Sequence, residues 1–149
     1  MTATSIDAPT LKRHLLDGGE VALIDVREQG VYCQNHILLA VNIPLSRLEL
    51  MVRDLVPRMA TRVVLCDGAD GLARRAAETL AGAGYTDISI LAGGVKAWAD
   101  AGFILFGGFN VPSKLFGEYV EHRFAPPRIT ISDLKSKMEA GDDVVIVDS

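Results

Sequence analysis

The stretch "RVVLCDGADGLARRAAETLAGAG", Arg62 to Gly84, passes from an apolar run through a short loop of Asp, Gly and Ala into an amphipathic segment. Val63, Val64 and Leu65 form a continuous β-branched and aliphatic run of the kind buried on both faces of a parallel sheet. Downstream, Leu72, Ala76, Leu80 and Ala83 recur at helical spacing while Arg74, Arg75 and Glu78 fall on the opposite side, which predicts a helix with an inward apolar stripe. A strand that turns tightly onto a helix N-terminus gathers backbone N–H groups around one point, and such a nest stabilises negative charge. Whether Cys66 or Asp67 meets that nest decides the chemistry of the loop.

Working outward, the same alternation of strand and helix continues. "VALIDV", Val21 to Val26, is a second buried strand, preceded by "PTLKRHLLDGG", which puts Leu11, Leu15 and Leu16 on one helical face with Gly18-Gly19 as the stop. "VNIP" gives another short strand. In "SRLELMVRDLVP" Ser46 and Glu49 make a capping box, and Leu48, Met51, Val52 and Leu55 repeat at helical spacing until Pro57 ends the pattern. "DISIL" is a further strand, followed by Gly93-Gly94 and a short helix holding Trp98. Strands joined by crossover helices predict an α/β fold with a parallel sheet flanked by helices on both faces, whose ligand sites lie at the carboxyl ends of the strands.

Composition narrows the function. With 149 residues, 49% of them hydrophobic, the chain is long enough for one α/β domain with an appendage and short for two. The 15 Lys and Arg are scattered among 19 Asp and Glu, so no basic stripe awaits nucleic acid. No apolar run approaches the roughly 18 to 20 residues that span a bilayer, and "MTATSIDAPTLKRH" lacks the basic start and apolar core of a leader. A soluble, cytoplasmic protein is expected, with neither membrane nor nucleic acid as partner. Cys33 and Cys66 make no disulfide framework, and no Cys or His pair has metal-ligand spacing. Neither metal nor cofactor is expected.

After Gly102 the character changes. "GGFNVPSKLFGEYVEHRFAPP" carries turn signals at both ends around one short helix started by Ser113, which reads as a linker. Beyond it, "LKSKMEAGDDVVIVDS", residues 134–149, superposes without a gap on "LKRHLLDGGEVALIDV", residues 11–26, and Leu, Lys, Gly, Val and Asp coincide. A long-period repeat of this kind predicts that the first helix and strand of a second copy have begun. The expected organisation is a domain over residues 1–106, a linker with a short helix over 107–128, and the truncated start of a second domain over 129–149. An unpaired apolar strand at Val144–Val147 seeks an edge, so the 129–149 tail is expected to be disordered, to dock on its own domain, or to pair with a second chain in a dimer.

"LIDVREQGVYCQNHILLAVNIP" followed by "VVLCDGADGLARRAAETLAGAGYTDISILAGGVKAW" resembles a rhodanese domain. The resemblance rests on Asp25-Val26-Arg27-Glu28, Tyr32, His36-Ile37, Asn42-Ile43-Pro44 and the closing Gly93-Gly94 with Trp98; it covers about Thr10 to Gly102 and starts again near Ile129. It implies a tandem-domain protein similar to thiosulfate sulfurtransferases, with further rhodanese-like domains of the same chain as partners. It also implies a cysteine at the end of the central strand, ringed by loop N–H groups, that carries sulfane sulfur as a persulfide. Leu38-Leu39 depart from the family's usual Pro-Gly, which implies a locally altered loop.

Aligned on the family's loop and paired helical alanines, the catalytic position falls on Asp67, and Cys66 lies one residue earlier, in the strand. Neighbouring strand residues point to opposite faces. A thiol in the nest would lose its proton more readily than at its free pKa of about 8.5. A carboxylate, with a reference pKa of roughly 3.9, fills the nest as an internal anion and forms no persulfide. The active-site-like loop, Asp67-Gly68-Ala69-Asp70-Gly71-Leu72, adds a second acid and no base before Arg74, and Asp25, Arg27 and Arg74 form its expected rim. The expectation is a degenerate, catalytically inactive copy with a structural or regulatory role. The alternative keeps Cys66 as nucleophile with a loop one residue longer. The related phosphatase pattern Cys-x5-Arg fails, because Leu72 holds the arginine's place. Cys33 reads as a packing residue or an exposed incidental thiol, Trp98 as core, His36 as structural in its turn, and Asp25 with Arg27 as a buried ion pair or cap.

Overall fold

A computed structural model describes residues 3–108 and 111–147 of the chain. Five parallel strands, β1 (Thr4–Ile6), β2 (Val21–Asp25), β3 (Val41–Asn42), β4 (Arg62–Cys66) and β5 (Ile88–Leu91), form one sheet in the order β1-β5-β4-β2-β3. Residues 21–25 lie against 62–66 in unbroken register, Asp25 opposite Cys66. The two segments read as buried strands are thus the sheet's interior, and their carboxyl ends sit side by side.

Both faces of the sheet are covered. On one, Ile24, Val26, Val63 and Leu65 pack with α3 (Leu48–Leu55) and α4 (Leu72–Gly82) through Leu48, Val52, Ala76 and Leu80. On the other, Leu23, Val64 and Cys66 pack with α1 (Ala8–His14) and α5 (Gly94–Asp100) through Ala8, Leu11, Val95 and Trp98. Burial on both sides explains why these strands read as unbroken apolar runs rather than as alternating ones. A single-turn helix, α2 (Gln29–Tyr32), follows β2 and brings Tyr32 toward the second cluster.

Several local expectations are corrected. The Ser46–Glu49 capping box does not form. A 3-10 turn over Leu45–Arg47 precedes α3, whose cap is Arg47, and the Ser46 hydroxyl donates to Glu28 Oε1 at 2.8 Å instead. Leu16 lies past the end of α1 and is exposed. In α4 the buried stripe is Ala73, Ala76, Ala77 and Leu80, with Leu72 and Ala83 at its margins. β1 was not expected: a three-residue strand offers too few positions for a period to show.

By backbone proximity the chain divides into residues 1–112 and 113–149. The linker helix, α6 (Val111–Phe124), begins two residues before Ser113, and Phe109 and Asn110 of the expected linker lie outside the described residues. α7 (Ile131–Ala140) is capped by the Thr130 hydroxyl, which accepts from the Asp133 N–H at 3.1 Å, and ends at Gly141 with φ +76°. In α1 the Asp7 carboxylate accepts from the Thr10 N–H at 2.8 Å, and Gly18 has φ +75°. Cap and left-handed glycine recur at the register that superposes 134–149 on 11–26. The expected strand over Val144–Val147 is not formed, and Asp148, the counterpart of Asp25, lies outside the described residues.

Candidate functional site

The loop at the tip of β4 inherits its geometry from the strand's alternation. Val63 and Leu65 face α3 and α4, Val64 and Cys66 face α1 and α5, and Asp67 continues the first set toward the start of α4. Cys66 therefore ends in the apolar cluster with Ile37, Leu91 and Trp98, with no exposed surface. Burial pushes its thiol well above the ordinary value; Asp25 adds to the rise, Arg27 opposes it, and Asp67 contributes further. A thiol so placed is a small apolar packing group, short of the thiolate that nucleophilic chemistry requires.

The Asp67 carboxylate turns into the loop. Oδ1 accepts the Ala69 N–H at 2.8 Å and Oδ2 accepts the Ala73 N–H at 3.0 Å, so one oxygen is held by the loop and the other by the first turn of α4. Both carboxylate oxygens are thus satisfied by backbone donors at the N-terminal end of α4. Ala69 at φ +66° and Gly71 at φ +86° bend the chain back over this carboxylate. Gly68, Ala69, Asp70 and Gly71 are exposed, whereas Asp67 is 4% exposed. Asp70 Oδ1 accepts from the Leu72 N–H at 3.3 Å, a local turn outside the Asp67 cradle.

The loop is clamped from α5. The Val95 N–H donates to the Asp67 carbonyl at 2.9 Å, and a Cβ on Gly94, whose φ is +60°, would stand 2.2 Å from that carbonyl oxygen and 2.9 Å from the Ala69 nitrogen. Only glycine permits the approach. Gly93-Gly94 were legible as a motif; their contact with the loop was not, because it joins residues far apart in sequence.

The expected rim residues separate. Asp25 and Arg27 are both buried and engage one another: Arg27 Nε and Nη2 donate to the Asp25 carboxylate at 2.9 and 2.6 Å. The remaining guanidinium contacts go to Asn35, at 3.0 Å to its side chain and 2.6 Å to its carbonyl. Burial works against the charge of Arg27, but the hydrogen bonds and charge of Asp25 more than offset it and raise its pKa. The pair braces the turn after β2, aided by Asn42, whose amide donates to the carbonyls of Asp25 and Arg27. Asn35 carried no signal in the sequence. Arg74 is exposed and, with Asp67, Ser5 and Glu78, lines a cleft of about 460 Å3 at the carboxyl ends of β4 and β5. His36 is buried, its ring 3.9 Å from that of Tyr32 and its Nδ1 3.1 Å from the Tyr32 carbonyl, which holds the turn before β3. Cys33 is partly buried at the end of α2. Among the described residues no three His, Cys, Asp or Glu gather as a metal would require, and no helix is long and apolar enough to cross a membrane.

A parallel sheet with helices on both faces and a tight N–H-lined loop at the tip of its central strand defines a class, and the family comparison names it. Residues 7–101 match the model for the rhodanese-like domain, and the chain belongs to that family. No curated protein matches it. Among solved structures, it is 39% identical to a thiosulfate sulfurtransferase from Pseudomonas aeruginosa over 94% of this chain, with a TM-score of 0.88. It spans only 27% of that protein's chain. A rhodanese from Escherichia coli, solved with anions, is 32% identical over 59% of this chain and 99% of its own, with a TM-score of 0.53. A protein from Anabaena sp. is 26% identical over 79% of this chain and 94% of its own, with a TM-score of 0.65.

Proposed function

We propose that this chain carries a rhodanese-like unit that does not itself transfer sulfur, Asp67 occupying the place of the sulfur-carrying cysteine, and that the unit packs, positions or regulates active domains of a larger protein. The observation that carries this reading is the cradling of both Asp67 oxygens by the Ala69 and Ala73 N–H groups. Sulfur transfer from thiosulfate needs a thiolate: it attacks the outer sulfur, a new S–S bond forms, the old one breaks and sulfite leaves. A carboxylate oxygen supports no such step. The neighbouring thiol of Cys66 is sealed in the core and held protonated by burial. In this chain the two backbone donors of the loop are taken by a carboxylate of the chain itself. The repeated helix, cap and left-handed glycine of residues 130–141 support the start of a second rhodanese-like unit in the same protein.

The test is Asp67→Cys. With a thiol in the cradle, thiosulfate treatment is expected to raise the sulfur load from none to one sulfur atom on residue 67, with thiosulfate-to-cyanide transfer appearing above the wild-type background. A folded Asp67→Cys protein that gains no sulfur, beside a wild type that loads Cys66, overturns the proposal.

A further inference from the structure

On the α1 and α5 side of the sheet, the carboxyl end of α1, the turn at residues 37–39 and the segment 102–106 enclose an apolar hollow of about 350 Å3. Trp98 forms its buried wall: the indole N–H donates to the Ile104 carbonyl at 3.1 Å, and the ring centroid lies 4.6 Å from that of Phe103. At the rim, Leu16, Leu39 and Ile104 are 71%, 54% and 72% exposed. Large apolar side chains exposed singly need no explanation, but three from separate segments around one hollow mark a surface in use. Leu38-Leu39 stand where the family has Pro-Gly, so this part of the wall belongs to this chain rather than to the family pattern. All of the walls lie between residues 12 and 106, and neither Asp67 nor its loop takes part in them.

The lining holds one charged side chain, Lys12. It is exposed, its Nζ stands 5.9 Å from the centre of the Phe103 ring, and it has no ion-pair partner among the described residues. Sites for small molecules are concave and mostly apolar, about 300–1,000 Å3 in volume, with a few polar groups that orient the ligand. Apolar walls with a single cation at the edge fit an amphipathic anion, its chain in the hollow and its head in water beside the ammonium group. A second copy set face to face on the same patch would bring like charges, the two Lys12 side chains, together. We propose that the hollow binds a straight-chain carboxylate of about eight to ten carbons, with Lys12 beside the carboxylate and Trp98 and Leu39 against the chain. At roughly 30 Å3 for a group the size of a water molecule, 350 Å3 has room for about ten such groups. The charged contact lies at the surface, so most of the affinity comes from burial of the chain. The proposal does not depend on whether Asp67 disables the loop.

Proton–nitrogen correlation spectra of the full chain test it, read at the indole N–H of Trp98, the chain's only tryptophan. Hexanoate, octanoate and decanoate, each below its micelle concentration, are expected to shift that resonance and the Leu39 and Ile104 amides saturably. Affinity is expected to rise about tenfold for every two methylenes. Lys12→Gln is expected to weaken octanoate about threefold and to leave octan-1-ol unaltered. Leu39→Glu is expected to weaken both about tenfold or more. Lys12 and Leu39 are exposed, so the variants retain the fold. No saturable shift at millimolar acid overturns the proposal, as does an octanoate affinity that either variant leaves unaltered. Movement of the same resonances on dilution of the unliganded protein assigns the hollow to a second copy instead, and overturns it too.

Discussion

At the tip of β4 one peptide bond separates a thiol enclosed by Ile37, Leu91 and Trp98 from a carboxylate held by two amides, and this division governs how each side chain reacts. Under native conditions a thiol reagent is expected to modify Cys33, which is partly exposed, and to reach Cys66 only on unfolding. Peptide mapping after a short maleimide pulse reads this directly; early modification of Cys66 would contradict it. Titration gives a second check. The unfolded thiol loses its proton near pH 8.5 while the folded one keeps it, so above that pH the unfolded state binds fewer protons and stability falls as pH rises, by up to about 1.4 kcal/mol per pH unit. Below about pH 7 the slope contributed by Cys66 is negligible. Cys66→Ala is expected to flatten the alkaline loss while costing about 1 kcal/mol at neutral pH, as measured by denaturant unfolding at pH 7 and 9.5. The division between the two side chains was legible because strand alternation is a local rule. The enlistment of Arg27 by Asn35, which leaves Arg74 as the exposed arginine at the cleft, was not, because no short-range pattern links those residues.

At the scale of elements, the loop is held as much by α5 as by its own turn. Gly94→Ala forces a Cβ to 2.2 Å from the Asp67 carbonyl oxygen at a left-handed φ, and is expected to cost about 3 kcal/mol in urea unfolding. Gly102→Ala, also left-handed but with no atom within 4 Å of its Cβ, is expected to cost only about 1 kcal/mol. Equal costs would remove the clamp from the account. β2, β4 and α4 were readable because each buries a run of consecutive apolar residues or a full helical stripe. β1 and α2 were too short for a period, and the start of α3 was misplaced because Ser46 lies within a 3-10 turn and bonds Glu28, a residue far off in sequence.

Both apolar clusters are built from residues before Gly107, and among the described residues none after Val111 is buried. A chain cut after Pro112 is accordingly expected to keep the cooperative unfolding midpoint of the full chain; a midpoint lower by several degrees would show that residues 113–149 stabilise the sheet. The layered architecture was legible as a whole, since alternating buried strands and amphipathic helices admit few arrangements. Strand order and the brevity of β3 were not, because they are properties of the assembled sheet. For the central claim, the most direct measurement is the mass of the native wild-type protein, digested and mapped after incubation with excess thiosulfate. The account predicts Cys66 unmodified and no sulfur added near residue 67; a sulfur atom carried by Cys66 in the folded protein would contradict it.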